Sequence, residues 1–149
     1  MSDGGIEMVD ISSKPVTLRE AVVEARISLL PRTIKLIRNN GIPKGDVLAL
    51  AKCAGICAAK KTDELIPLCH SLPLEHVEIT CKLKTDAIVI TVRCKASSKT
   101  GVEMEAMVAA SVSALAIYDM CKSVDRSAVI EEIKLIEKRG GRSGHYKRK

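Results

Sequence analysis

The chain has 149 residues, of which 46% are hydrophobic and 28% are charged, a composition that excludes a disordered protein and suits one globular domain. It contains no Phe or Trp and two Tyr, so the core is aliphatic and the aromatic platforms that stack single-stranded nucleic acid are missing. Of its 24 basic residues, six lie in residues 138–149, which contain no acid; the other 18 balance the 18 acidic residues. We therefore expect a neutral body and a basic, flexible tail, which is either a solvated terminus or a segment that folds over an anionic ligand.

The chain contains six cysteines. Residues 1–10 have neither the basic start nor the apolar run of a secretory signal, and several cysteines lie in apolar patterns. These features predict reduced thiols in a cytoplasmic protein. No stretch is predicted to span a membrane.

The first half of the chain predicts a strand followed by two helices. Residues 20–29 alternate between apolar and polar side chains, which favours a strand, although a helix competes because Ala and Glu favour helix. Pro31 opens a short helix that ends at residues 39–41. Asp46 is a good N-cap for a helix over 47–61, which is apolar nearly all round and is therefore predicted to be largely buried.

The second half predicts a hairpin, a long helix and a last strand. Alternating residues in 77–84 and 88–94 flank a turn, residues 101–122 form an Ala-rich helix, and 129–137 form a strand. This order predicts an α+β fold, a ferredoxin-like sandwich whose antiparallel sheet carries helices on one face. Residues 1–10 are expected to be loose.

A loop over residues 67–73 holds a Cys-His pair between two prolines. His70 either donates to a phosphate or ring oxygen of a ligand, or is satisfied by backbone carbonyls. Cys69 and His70 lack a second Cys/His pair at zinc-finger spacing, so no metal site is predicted.

Two acidic residues open the long helix. Glu103 and Glu105 point about 200° apart on a helix, so they are not expected to form a carboxylate pair within one chain. Either one faces a ligand while the other caps the helix or faces a second subunit, or both stabilise the helix N-terminus.

A charged group closes the same helix. Asp119 and Lys122 share a face at i,i+3 spacing and form either a surface ion pair or the edge of a cleft. A partly buried Lys122 near other cations would have a lowered pKa and could transfer protons near neutral pH. Lys44, in a turn before a helix N-terminus, is a second candidate.

These motifs together resemble the MoaC family of cyclic pyranopterin monophosphate synthases, over nearly the whole chain. The matching segments are TLREA at 17–21, KGDV at 44–47, AGICAAK at 54–60, DELIPLCHSLPL at 63–74, KTGVEMEA at 99–106 and IYDMCK at 117–122. The resemblance implies a single catalytic domain over 1–149, a lyase. It converts 3′,8-cyclo-7,8-dihydro-GTP into cyclic pyranopterin monophosphate with release of pyrophosphate, an early step of molybdenum cofactor biosynthesis.

The resemblance also implies residue roles. Lys44 and Lys122 correspond to acid/base lysines, with Asp119 setting the charge of Lys122. The implied substrate contacts are Arg19, Leu68, Cys69, His70, Glu103, Met104 and Glu105. The family usually has Pro where this chain has Ser71, which loosens the loop that holds His70.

The resemblance implies a homo-oligomer, a hexamer built as a trimer of dimers with sites at subunit interfaces. Its substrate comes from a radical S-adenosylmethionine enzyme. No cofactor, nucleic acid or membrane partner is expected, and the sequence leaves open whether magnesium accompanies the triphosphate. The competing functions are a nucleic-acid-binding module, a scaffolding oligomer and a non-catalytic regulatory domain that binds purine triphosphates.

Overall fold

The computed structural model describes residues 4–149. Along the chain the elements are β1 (Thr17–Ser28), α1 (Pro31–Arg38), α2 (Val47–Ala59), α3 (Thr62–Leu65), β2 (His76–Leu83), β3 (Ala87–Ser98), α4 (Glu103–Cys121), β4 (Val129–Arg139) and β5 (Tyr146–Lys147).

The five strands form one sheet in the order β2-β3-β1-β4-β5, and all pairs are antiparallel. The helical connections after β1 and β3 give the first four strands the arrangement of a ferredoxin-like sandwich. The predicted α+β fold, with helices on one face of an antiparallel sheet, is confirmed. β4 runs to Arg139, two residues beyond the predicted strand.

The segment for which strand and helix competed is β1, the centre of the sheet. It pairs with β3 over twelve residues and with β4 on its other side. Its apolar positions Ala21, Val23, Ala25 and Ile27 are fully buried under the helices. The two-residue alternation therefore outweighed the helix propensity of Ala and Glu, because it places one apolar face against α4.

The helix layer is built from small side chains. The buried face of α4 includes Ala106, Ala109, Ala110 and Ala114, all with no exposed surface. A Cβ on Gly55 of α2 would overlap the Ser113 hydroxyl of α4, so glycine permits this close approach. The Ser113 hydroxyl donates to the carbonyl of Ala51 at 2.9 Å and ties the two helices together.

The prediction that α2 is largely buried is wrong for one of its faces. Leu50, Cys53 and Cys57 are exposed, whereas Val47, Ala51 and Gly55 face α4 and the sheet. The physical reason is that the chain forms only two layers, so no element of residues 4–149 covers the outer surface of α2. α2 therefore presents apolar side chains to solvent in the single chain.

By length and composition α4 could cross a membrane, with a mean hydropathy of 1.3, which differs from the sequence-based expectation that no stretch would qualify. However, 56% of that window is buried against the sheet and α2. α4 is thus the core helix of a soluble domain.

Asp125, in the turn after α4, is 1% exposed and was not singled out by sequence. Its carboxylate accepts hydrogen bonds from the backbone N–H of Leu30 at 2.8 Å, the Thr33 hydroxyl at 2.9 Å and both the N–H and the hydroxyl of Ser127. Burial acts to raise its pKa, but these hydrogen bonds outweigh burial and lower the pKa below its usual value. Asp125 therefore joins the end of α4 to the start of α1.

We predict that Asp125→Ala lowers the free energy of unfolding by about 3 kcal/mol at pH 7, because several donors lose their acceptor. Because the folded pKa is depressed, the contribution is present above the unfolded pKa and is lost as pH falls through the folded value. Urea unfolding at pH 7 and pH 3 measures both effects. The exposed Asp86→Ala serves as control, and an equal effect of the two substitutions would contradict the prediction.

Candidate active site

The ten predicted site residues separate into two groups at the two ends of α4. The helix extends from Glu103 to Cys121, a length of about 27 Å at 1.5 Å per residue. The first group lines a cavity at the N-terminal end: Arg19, Leu68, Cys69, His70, Glu103, Met104 and Glu105. The second group, at the C-terminal end, comprises Lys44, Asp119 and Lys122.

The cavity of the first group has a volume of about 530 Å³, a size that suits a nucleotide-sized ligand. Four further cations line it: Lys14, Lys99, Lys138 and Arg142. Lys99 is the first residue of the 99–106 motif, and Lys138 and Arg142 belong to the basic segment 138–149, for which folding over an anionic ligand was one of two alternatives. Lys138 pairs in register with Ala21 of β1, and this long-range pairing has no local sequence signal. The walls are therefore suited to a polyanion.

Arg19 is the most deeply placed of these cations, with 9% of its surface exposed. Its guanidinium donates to the carbonyls of Ser98 at 3.2 Å and Lys99 at 3.1 Å. No carboxylate in residues 4–149 forms an ion pair with it. A Cβ on Gly141 would overlap this guanidinium, and the φ of +79° at Gly141 favours glycine where the chain after β4 passes over Arg19. A nearly buried guanidinium that is hydrogen-bonded only to carbonyls keeps its full positive charge and can bind an anion.

The two acidic residues in the first turn of α4 both line the cavity, as the family resemblance implied, whereas helix geometry alone had left open whether one of them faces elsewhere. Glu103 is partly exposed and forms an ion pair with Lys138. Glu105 is 4% exposed; burial raises its pKa to about 6, and the nearby Glu103 and Asp63 act in the same direction. The cavity thus holds one paired carboxylate and one that changes charge near neutral pH.

The Cys-His loop forms one wall of the cavity. The Nε2 atom of His70 lies 2.7 Å from the carbonyl oxygen of Val9, which corresponds to the backbone-satisfied alternative. Val9 and Ile11 also line the cavity, so the N-terminal segment contributes to the site. Burial raises the pKa of the Cys69 thiol, with Glu105 and Asp63 contributing. Cys69 is therefore a neutral thiol rather than a nucleophile.

At the other end of α4, Asp119 lies between two lysines. Its Oδ1 is 2.8 Å from Lys122 Nζ and its Oδ2 is 3.1 Å from Lys44 Nζ. Lys44 Nζ also donates to the Asp119 carbonyl at 3.1 Å. The turn that carries Lys44 is fixed by the predicted N-cap, in which Asp46 accepts from the N–H of Ala49 at 3.0 Å.

The burial on which a lowered Lys122 pKa depends is not present in the single chain. Its side chain is 55% exposed, and the hydrogen bond and charge of Asp119 raise its pKa. Hydrogen bonds from Lys122 and Lys44 lower the pKa of Asp119. Asp119 and Lys122 are both exposed to solvent, so desolvation is too weak to offset the rise that the Asp119 carboxylate causes in the pKa of Lys122.

No group of three or more His, Cys, Asp or Glu side chains in residues 4–149 is arranged to hold a metal ion. The positive charge of the cavity comes from Lys and Arg side chains. The cavity can therefore bind a polyanion, and the buried carboxylate of Glu105 lies beside the cations in the same cavity.

We predict that Glu105→Gln makes the protein more stable at pH 8 by about 2 kcal/mol, with no change near pH 4.5. Because the folded pKa of Glu105 is raised to about 6, the native state holds its proton more tightly and wild-type stability falls as pH rises through this range. Glutamine resembles the protonated acid and removes that loss. Urea unfolding at both pH values measures the difference, with the exposed Glu64→Gln as control; a pH-independent difference would contradict the assignment.

A sequence model of the MoaC family matches residues 8–141, nearly the whole chain. The match includes β1 with Arg19, the Cys-His loop, all of α4 and Lys138. It thus covers both residue groups described above. The chain belongs to the MoaC family, enzymes of molybdenum cofactor biosynthesis.

Proposed function

We propose that the chain is a lyase that converts 3′,8-cyclo-7,8-dihydro-GTP into cyclic pyranopterin monophosphate and pyrophosphate. The observation that carries the proposal is the cavity at the start of α4. All seven substrate contacts implied by the family resemblance line it, together with four more cations. A site for a purine triphosphate needs this combination of positive charge with groups that recognise a base.

The charges of the cavity support a binding mode for this substrate. The triphosphate lies against Arg19 and the lysines, which provide charge-assisted hydrogen bonds. The base lies against Met104 and Glu105, where a carboxylate whose pKa is about 6 can accept or donate a hydrogen bond. In this proposal the side-chain cations neutralise the phosphates, and no resident cofactor is required.

The reaction needs proton transfers for ring opening and reclosure. In the phosphate step, a substrate hydroxyl oxygen bonds to the α-phosphorus, the bond to pyrophosphate breaks, and the hydroxyl proton must be removed. Lys44 and Lys122 are proposed for these transfers, with Asp119 holding them in place. The lysines, however, lie at the far end of α4 from the cavity, so one chain cannot bring both groups to one substrate.

A second copy of the chain resolves this separation. Met104, Leu115 and Tyr118 are 39%, 55% and 37% exposed, and at 100° per residue they lie with Lys122 within about 60° of one face of α4. This apolar stripe joins the two residue groups. If two copies pack these stripes antiparallel about a two-fold axis, Lys122 of one copy meets Met104 of the other. The exposed apolar face of α2 offers surface for the same assembly.

Burial in such an interface would also change the pKa of Lys122. Desolvation and the neighbouring cations of the cavity oppose the effect of Asp119 and lower the pKa of Lys122 toward neutral pH. The proposed active oligomer is a hexamer, a trimer of these dimers. It acts in the cytoplasm on the product of a radical S-adenosylmethionine enzyme, with no nucleic acid or membrane partner.

We predict that Lys122→Ala abolishes turnover, because a proton-transfer group is lost. The assay supplies 3′,8-cyclo-7,8-dihydro-GTP and follows cyclic pyranopterin monophosphate and pyrophosphate together. Lys52→Ala, an exposed lysine of α2 outside both groups, is the matched control and retains activity. A wild-type protein that binds the nucleotide without releasing either product would instead indicate a regulatory domain.

We further predict that Lys122→Ala and Glu105→Gln, each inactive alone, recover activity when they are co-assembled. A mixed dimer contains one intact site of its two, so it is expected to have about half of wild-type activity, which is about a quarter for the unfractionated mixture after random mixing. Coexpression with two affinity tags isolates the mixed oligomer for assay. Two copies of Lys122→Ala with different tags are the control. Absence of recovery in a verified mixed oligomer would place each site within one chain.

A further inference from the structure

We propose that the chain has a second anion-binding site, which takes a small organic phosphate, at the opposite end of β1. A cavity of about 590 Å³ lies between α1, the end of β1 and the β2–β3 turn. Five cations line it: Arg26, Lys35, Arg38, Lys82 and Lys84. Arg26, Lys35 and Arg38 come from the neighbouring β1 and α1, and Lys82 and Lys84 come from the β2–β3 hairpin far along the chain, so the tertiary structure brings the two sets together.

The cavity has an excess of positive charge without a fixed counter-ion. Asp86 is its one acidic lining residue. Arg26 is already paired with Glu131 at 2.9 Å and lies 3.7 Å from Asp86. For the other four cations, the described part of the chain supplies no carboxylate within ion-pair distance. Like charges around a concave surface raise its potential, and a bound anion relieves their repulsion.

Protection of an exposed sheet edge accounts for only part of this cluster. β2 is an edge strand, and Lys82 on it and Lys84 just after it are the kind of side chain that discourages edge-to-edge association. Lys35 and Arg38, however, lie in the last turn of α1, where they interact with the helix dipole and protect no edge. Neither role requires all four cations to line one cavity, and an anionic ligand accounts for their convergence.

The lining favours a phosphorylated organic molecule. Pro31, Ile34 and Leu83 form an apolar wall beside the cations, and Ile34 is only 2% exposed. Such a wall accommodates a ring or carbon chain, and Lys and Arg side chains bind its phosphates. The lining contains no aromatic side chain, which argues against stacked bases of a single-stranded nucleic acid.

The second cavity is separate from the candidate active site. The two share no lining residue. Arg19 and Arg26 mark their positions on β1, about 23 Å apart at 3.3 Å per residue. Binding at the second cavity therefore does not depend on the proposed reaction.

Equilibrium dialysis of the full chain with ADP as the probe tests this inference. The wild type is expected to bind two ADP molecules per chain, and Lys35→Gln/Lys82→Gln to bind one, with at least tenfold weaker affinity at the second site. The control Arg32→Gln/Lys61→Gln removes the same charge from exposed positions outside both cavities, one of them on α1, and is expected to bind two.

Unchanged ADP binding in Lys35→Gln/Lys82→Gln overturns the proposal, as does an equal loss in the control pair. If this site binds inorganic tripolyphosphate but not ADP, the proposal that its ligand is an organic phosphate is overturned. Synthesis of cyclic pyranopterin monophosphate is measured on the same variants and is expected to be unchanged. Failure of the second site is thereby distinguished from failure of the proposed reaction.

Discussion

The packing of α4 across the sheet is the constraint on which the rest of the structure depends. Fully buried alanines let the helix lie close to β1, β3 and α2, and the hydroxyl of Ser113 fills the space beside Gly55. The helix is 19 residues long, so its two ends are held far apart. The predicted substrate contacts gather at one end and the two predicted lysines at the other. This separation is why the proposed function includes a second chain.

Cations of the protein also gather in two separate places, here at the two ends of β1. Acids on the open face are paired with cations, as in Glu20 with Arg93 and Glu132 with Lys134. Within residues 4–149, the cations without such partners include Arg19 and Lys14 at one end of β1 and Lys35 at the other. The formal neutrality of the body therefore conceals two positive cavities, because neutrality in composition does not require pairing in space.

Local patterns predicted most of the fold. Two-residue alternation identified β1 and the hairpin of β2 and β3, since a strand half-covered by helices must bury alternate side chains. The N-cap role of Asp46 followed from its position before an apolar run. Burial of α2 was misjudged because an apolar helix face is buried either by its own chain or by another copy, and hydrophobicity alone does not distinguish them.

The sequence by itself determined the order of β1 to β4 and of α1, α2 and α4, the aliphatic core, the family resemblance and the identity of ten candidate site residues. It missed α3, and it missed β5, which pairs with β4 in the tail that was expected to be flexible. Only the tertiary structure decided how the candidate site residues group. It placed Glu103 and Glu105 in one cavity, recruited Lys138 through the register of β4, and made Asp125 a buried acceptor that joins α4 to α1. Periodicity reports which face of an element is buried, whereas grouping depends on contacts between residues far apart in the chain, which no local pattern encodes.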